Sequence, residues 1–268
     1  VTAPLLAFGD DGSPGADVAW LWINNHPWPG WRIESVTASE VVFPPAAVAE
    51  PPAEWTPPWG RHATRPDGLA SLRFLYAPGD PRVVMGDRTD AQLIVVGSTA
   101  QSHLRGIWVG STTDWLLLHP PAPFAVVRSA ARVETVTVCV DGSPHAEAAV
   151  AAFLALPLAA AARAAVVAVE DRASGAAGGP GTPVEAGLAT ALAAFEQAGV
   201  PATAVPLQGK PTRAILEHLD EQRPQLVVLG TRGLTGLKRL RLGSTANAVV
   251  RAAACSSLLA CAALEPGA

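Results

Sequence analysis

Short apolar runs alternate with amphipathic stretches along this chain, most clearly in its second half. Thr135 to Val140, Ala164 to Val169, Leu226 to Leu229 and Ser257 to Cys261 are short and β-rich, as strands buried on both faces are. Ala202 to Leu207 predicts one more strand. Between them lie helical segments. Ser143 is placed to N-cap a helix from Ala146 to about Leu156, with Pro144 in its first position. Thr182, Pro183 and Glu185 form a capping box, and Val184, Leu188, Leu192 and Phe195 recur as one apolar helical face. Gly199 is a natural stop. Thr212 to Leu219, with Ile215, Leu216 and Leu219 inward, and Ser244 to Arg251 complete the set. The order βαβαβαβαβ predicts an α/β, doubly wound domain: a five-stranded parallel sheet, order 3-2-1-4-5, with helices on both faces.

The first half shows the same rhythm with one gap. Leu5 to Gly9, Arg32 to Ala38, Leu72 to Tyr76, Gln92 to Val96 and Phe124 to Val127 predict strands, and Pro14 to Ile23 a helix. Where the second helix belongs, seven prolines from Pro44 to Pro66 forbid one. A Pro/Trp-rich loop is expected in its place. All eight tryptophans lie in this half, and the expectation is that rings cover the sheet where the helix is missing.

The two halves repeat each other in order. GDDGSP at residues 9–14 matches VDGSP at 140–144, GDP at 79–81 matches GKP at 209–211, LIVVGSTA at 93–100 matches LVVLGTRG at 226–233, and GST at 110–112 matches GST at 243–245. The offsets are 130 for the first two pairs and 133 for the last two. A colinear repeat of that length is a duplicated domain, because supersecondary repeats recur every 20–50 residues or so. We expect domains at 1–128 and 135–268, joined by a short linker.

Composition narrows the function classes. The net charge of −4 favours neither a nucleic acid nor an anionic membrane as partner. Three cysteines without framework spacing point to a reducing compartment, and so to a cytoplasmic protein. No basic segment followed by an apolar core opens the chain, so no signal peptide is expected. The apolar stretch Ala148 to Val169 is broken by Pro157 and Arg163 and predicts helix, turn and strand instead of a membrane span.

Candidate chemistry concentrates in two loops of the second half. GTRGLTGLKRLRLGST, Gly230 to Thr245, follows a buried strand and opens a helix. Gly230 would let the chain leave the strand, and Gly233 would let backbone approach a ligand. Gly243 and Ser244 start a helix whose free N–H groups suit phosphate, with the Ser244 and Thr245 hydroxyls as further donors. Lys238, Arg239 and Arg241 make the loop cationic. Asp141 ends the first strand beside it, where an acid accepts from a ribose hydroxyl or simply shapes the turn. Lys210 is followed by Pro211, so Gly209-Lys210 is not a P-loop, and no GxGxxG follows a first strand.

DGS after the first strand, GxP after the third, and Gly230-x2-Gly233-x9-Gly243-Ser244 after the fourth resemble the universal stress protein family, here as two tandem domains. The resemblance implies a doubly wound α/β fold and an adenine-nucleotide partner, ATP or AMP, with a Mg²⁺ requirement left open. By position it implies that Asp141 faces ribose or phosphate and Val169 flanks adenine. Gly230, Gly233, Gly243, Ser244 and Thr245 would hold ribose and phosphates. The first half keeps Asp11, Gly97, Gly110 and Ser111, with Val36 expected at the place of Val169. Ala100 replaces the second glycine, and a Cβ there would block close approach and disfavour positive φ, so a weakened site is expected. The family also implies an intramolecular pseudo-dimer through the last strands, Phe124 to Val127 and Leu258 to Cys261, and leaves a homodimer open.

Three functions remain open at this level: a nucleotide-binding stress-response or regulatory protein, an interaction module with vestigial sites, and an ATP-using enzyme of a related fold. No HxGH or SGGxDS segment supports the last. No catalytic residue and no metal ligand set is expected.

Overall fold

The structure, a computed structural model, describes residues 2–39, 64–98, 110–171, 182–233 and 242–262. Contacts divide them into two compact units, one ending at Ala131 and one beginning at Arg132. The first contains β1 (Leu5–Gly9), α1 (Pro14–Asn24), β2 (Arg32–Ser39), β3 (Ser71–Pro78), α2 (Pro81–Gly86), β4 (Leu93–Gly97), α3 (Ser111–Leu118) and β5 (Phe124–Val127). Its strands are all parallel, in the order β3-β2-β1-β4-β5.

The second unit contains β6 (Thr135–Val140), α4 (Pro144–Leu154), a 3-10 helix (Pro157–Ala161), β7 (Arg163–Glu170), α5 (Pro183–Gln197), β8 (Ala202–Gln208), α6 (Pro211–Gln222), β9 (Leu226–Gly230), α7 (Ser244–Ala252) and β10 (Ser256–Ala260). Its order is β8-β7-β6-β9-β10, again parallel throughout, so both units are doubly wound with the expected 3-2-1-4-5 order. Right-handed crossovers then put α4 and α5 on one face and α6 and α7 on the other, and each pair packs together.

Local chemistry sets the helix starts. Ser143 Oγ accepts from Ala146 N at 3.2 Å and Pro144 opens α4, as Ser13 Oγ accepts from Ala16 N at 3.2 Å and Pro14 opens α1. Each such cap is worth about 1 kcal/mol. Thr182 caps α5 by accepting from Glu185 N at 3.2 Å. Gly199, at φ +69°, takes the left-handed conformation that the stop of α5 needs.

Packing of α5 departs from the expected stripe. Its buried line is Gly187, Ala191 and Phe195, while Val184, Leu188 and Leu192 sit half-buried at the margin. The cause is a close approach. A Cβ on Gly187 would stand 2.5 Å from Gly142 Cα, so a small residue must face the turn after β6. Gly142 itself is held at φ +79°.

The first unit buries a cluster of rings. Trp20 on α1 lies 5.6 Å from Phe8 and 6.4 Å from Phe74 on β3, ring centre to ring centre. Trp22, Trp28 and Trp31 form a buried chain, with centroids 6.2 and 5.3 Å apart, and Trp28 Nε1 donates to Ile23 O. In the second unit α4 meets α5 through Phe153 and Phe195 at 6.0 Å. The Pro/Trp-rich stretch expected to replace a helix lies outside the described residues, as do Trp55, Trp59 and Trp108.

Candidate functional site

A cleft of about 320 Å³ opens at the carboxyl ends of β6, β7 and β9, and all seven second-half candidates line it: Asp141, Val169, Gly230, Gly233, Gly243, Ser244 and Thr245. Its size falls at the lower end of ordinary small-molecule sites, roughly 300–1,000 Å³. Cys139, near the pocket as its position predicts, also lines it, and so do Val140, Val167, Arg232 and Ile215, which the sequence pattern did not single out. The cleft shares Pro211, Ser244 and Thr245 with a more open hollow beside Lys210 and Asp171.

The floor is built by the turn after β6. Asp141 Oδ1 accepts from Ser143 N at 3.0 Å, and Ser143 Oγ also reaches Arg232 O at 3.3 Å. These bonds tie the start of α4 to the loop after β9. Gly243 N donates to Thr231 O at 2.7 Å, and Thr231 N to Ala260 O at 2.9 Å, so both ends of that loop are anchored. Gly243 precedes α7 and brings no side-chain cap, which leaves the first-turn N–H groups of α7 without one.

The glycines also make room for the protein's own atoms. None of Gly230, Gly233 and Gly243 takes a positive φ. Gly230 ends β9 against the start of α4. A Cβ there would stand 2.6 Å from His145 C and 2.7 Å from Ala146 N, so its role is backbone-to-backbone packing of β9 on α4. A Cβ on Gly233 would collide with Asp141 Oδ2, so Gly233 makes room for the carboxylate that enters the cleft.

His145 is half-buried on the first turn of α4, and it is not the solvated residue its position suggests. Its Nδ1 accepts from Ala262 N at 3.0 Å and lies 3.4 Å from Thr231 Oγ1. Burial, with the Arg232 guanidinium adding to it, holds His145 below the usual histidine range, against the opposing pull of Asp141. The neutral ring suits an Nδ1 that accepts a hydrogen bond. Burial pushes the Cys139 thiol far up, which makes it an inert wall residue at neutral pH. Among the described residues, no three His, Cys, Asp or Glu side chains gather as metal ligands.

In the first unit Asp11 repeats Asp141: its Oδ1 accepts from Ser13 N at 2.9 Å. Gly97 ends β4 against the Gly15 backbone as Gly230 does against His145, Gly110 precedes α3, and Ser111 is its exposed first residue. Strand register corrects the place of Val36. Gly9 pairs with Val36 and Cys139 with Val167, so Val36 corresponds to Val167, and Ala38 stands where Val169 does. The expected equivalence was two residues out. Asp10, only 2% exposed, holds the position of Val140. Ala100, the first-unit loop that follows it and the basic residues Lys238, Arg239 and Arg241 lie outside the described residues.

A model of the universal stress protein family matches residues 77–128 and 132–260, and the chain belongs to that family. It is 38% identical over 61 residues to universal stress protein YxiE of Bacillus subtilis, a match covering 23% of this chain and 41% of the relative. A Thermus aquaticus universal stress protein is 45% identical over 62 residues, covering 23% and 45%. The matched stretch thus spans less than half the length of these curated relatives. The fold resembles the crystal structure of a universal stress protein from Archaeoglobus fulgidus, with a TM-score of 0.72 at 16% identity, covering 97% of this chain and 99% of that one. Among the described residues, no helix is long and apolar enough to cross a membrane.

Proposed function

We propose that the second unit binds one adenine nucleotide, ATP or AMP, and that this is a stress-response or regulatory protein whose state is set by that ligand. The observation that carries the reading is the gathering of Asp141, Val169, Gly230, Gly233, Gly243, Ser244 and Thr245 around one cleft. Val167, Val169 and Ile215 offer an apolar wall for a base, and Asp141 an acceptor for ribose hydroxyls. The uncapped start of α7, with the Ser244 and Thr245 hydroxyls, supplies donors for phosphate. We read the function as binding, with at most slow hydrolysis of ATP. The first unit, with Asp10 in the place of Val140 and Ala100 in that of Gly233, has a weakened site. Titration of ATP and AMP into Asp141→Asn and Gly233→Ala tests the reading. Both variants are expected to stay folded and lose about tenfold or more in affinity; unchanged affinity in both would refute the assignment.

A further inference from the structure

We infer that Arg232 is a phosphate-binding residue of this cleft, and that it restricts the site to phosphorylated nucleotides over nucleosides. The inference rests on the nucleotide reading above and adds a residue and a selectivity to it. Arg232 lines the cleft, and its main chain lies between two helix starts: its carbonyl accepts from Ser143 Oγ at the start of α4, and its Cα would stand 3.4 Å from a Cβ on Gly243, just before α7. The side chain is therefore fixed at its root on the phosphate side of the cleft.

The guanidinium Nε is buried and has no hydrogen-bond partner among the described residues. A buried donor left unpaired is costly, and native proteins rarely keep one without a ligand, ion or water to meet it. Arginine is an apt choice here. It stays charged when desolvated, and its planar fork matches phosphate oxygens. The field of this cation is felt by its neighbours: it helps keep His145 neutral and draws the Cys261 thiol down against the burial that raises it. Asp141 is the opposing charge in the cleft, so a nucleotide with ribose towards Asp141 and phosphate towards Arg232 would meet complementary groups at both ends. The first copy has Thr99 at this position and lacks the cation.

The test is calorimetric titration of AMP and of adenosine into the full chain and into Arg232→Gln and Arg232→Lys, with thermal unfolding to confirm that the variants are folded. The native chain should prefer AMP to adenosine by about tenfold or more, Arg232→Gln should bind both about equally, and Arg232→Lys should recover part of the preference. The NMR titration of His145 without ligand should move upward in Arg232→Gln and much less in Arg232→Lys. If AMP binds the native chain and Arg232→Gln with equal affinity, the role given to Arg232 is wrong and the nucleotide reading stands. If neither AMP nor adenosine binds the native chain, the nucleotide reading fails and this inference with it.

Discussion

The two units build the same turn and then diverge in what surrounds it. Asp11 and Asp141 each hold the N–H of the serine two residues on, at 2.9 and 3.0 Å, and Ser13 and Ser143 each cap the helix that follows. Gly97 and Gly230 each press a central strand onto the backbone of that helix. The scaffold is thus duplicated. The residues around it differ: Val140, Val169, Arg232 and Gly233 in the second unit stand against Asp10, Ala38, Thr99 and Ala100 in the first. A fold survives changes at the carboxyl ends of its strands because those positions carry little of the core. A binding site does not, because every substitution there alters a wall or a charge.

Moving the differences from one unit to the other should give the largest effect. Asp10→Val, Ala38→Val, Thr99→Arg and Ala100→Gly together are expected to raise bound AMP from about one to about two per chain; calorimetric stoichiometry reads the result. A value that stays at one would mean that the asymmetry lies elsewhere. The packing glycines should break both units alike. Gly97→Ala and Gly230→Ala each overpack a strand–helix contact between backbones and should cost about 1–3 kcal/mol in denaturant unfolding. A loss of AMP affinity in Gly230→Ala with no cost in unfolding would show that its role is ligand contact and not packing. Ser13→Ala and Ser143→Ala each remove a helix cap and should cost about 1 kcal/mol, with Ser143→Ala also loosening the tie to Arg232 O.

The smallest effect belongs to the second unit alone. His145 has Gly15 as its counterpart, so one unit titrates here and the other does not. The folded-state value of His145 lies below its unfolded one, so the unfolded chain binds more protons between the two. The contribution is fully present above the unfolded value of about 6.5 and is lost as pH falls through the depressed folded value. His145→Gln should flatten that part of the stability curve, and hydrogen exchange at the Ala262 amide should quicken as the native ring protonates. No change at Ala262 across this range would remove His145 as its acceptor.

Much of this fold is legible in the sequence because its signals are local. Ser143-Pro144, the Thr182 capping box and Gly199 mark α4 and α5 through contacts within a few residues, and the apolar runs mark the strands. The candidate residues of the second unit's cleft are legible for the same reason, since each sits at a strand end or a helix start. What escaped was tertiary. The buried stripe of α5 follows Gly187 because Gly142 lies against it, and no periodicity contains that contact. The match of Ala38 to Val169 depends on strand register, which the intervening turns set. Arg232 stands apart from the basic run of Lys238, Arg239 and Arg241. Its signal was its place between Thr231 and Gly233 at the immediate end of a buried strand, set against Thr99 in the other copy.

The central claim is one adenine nucleotide per chain, held by the second unit. The measurement that tests it most directly is the amount of ATP or AMP bound at saturation by the full chain, with copurified nucleotide released by denaturation and counted in. One equivalent is the expected result, with affinity at least about tenfold lower in Gly233→Ala/Asp141→Asn. Two equivalents in the native chain would contradict the difference between the units, and none would contradict the site itself.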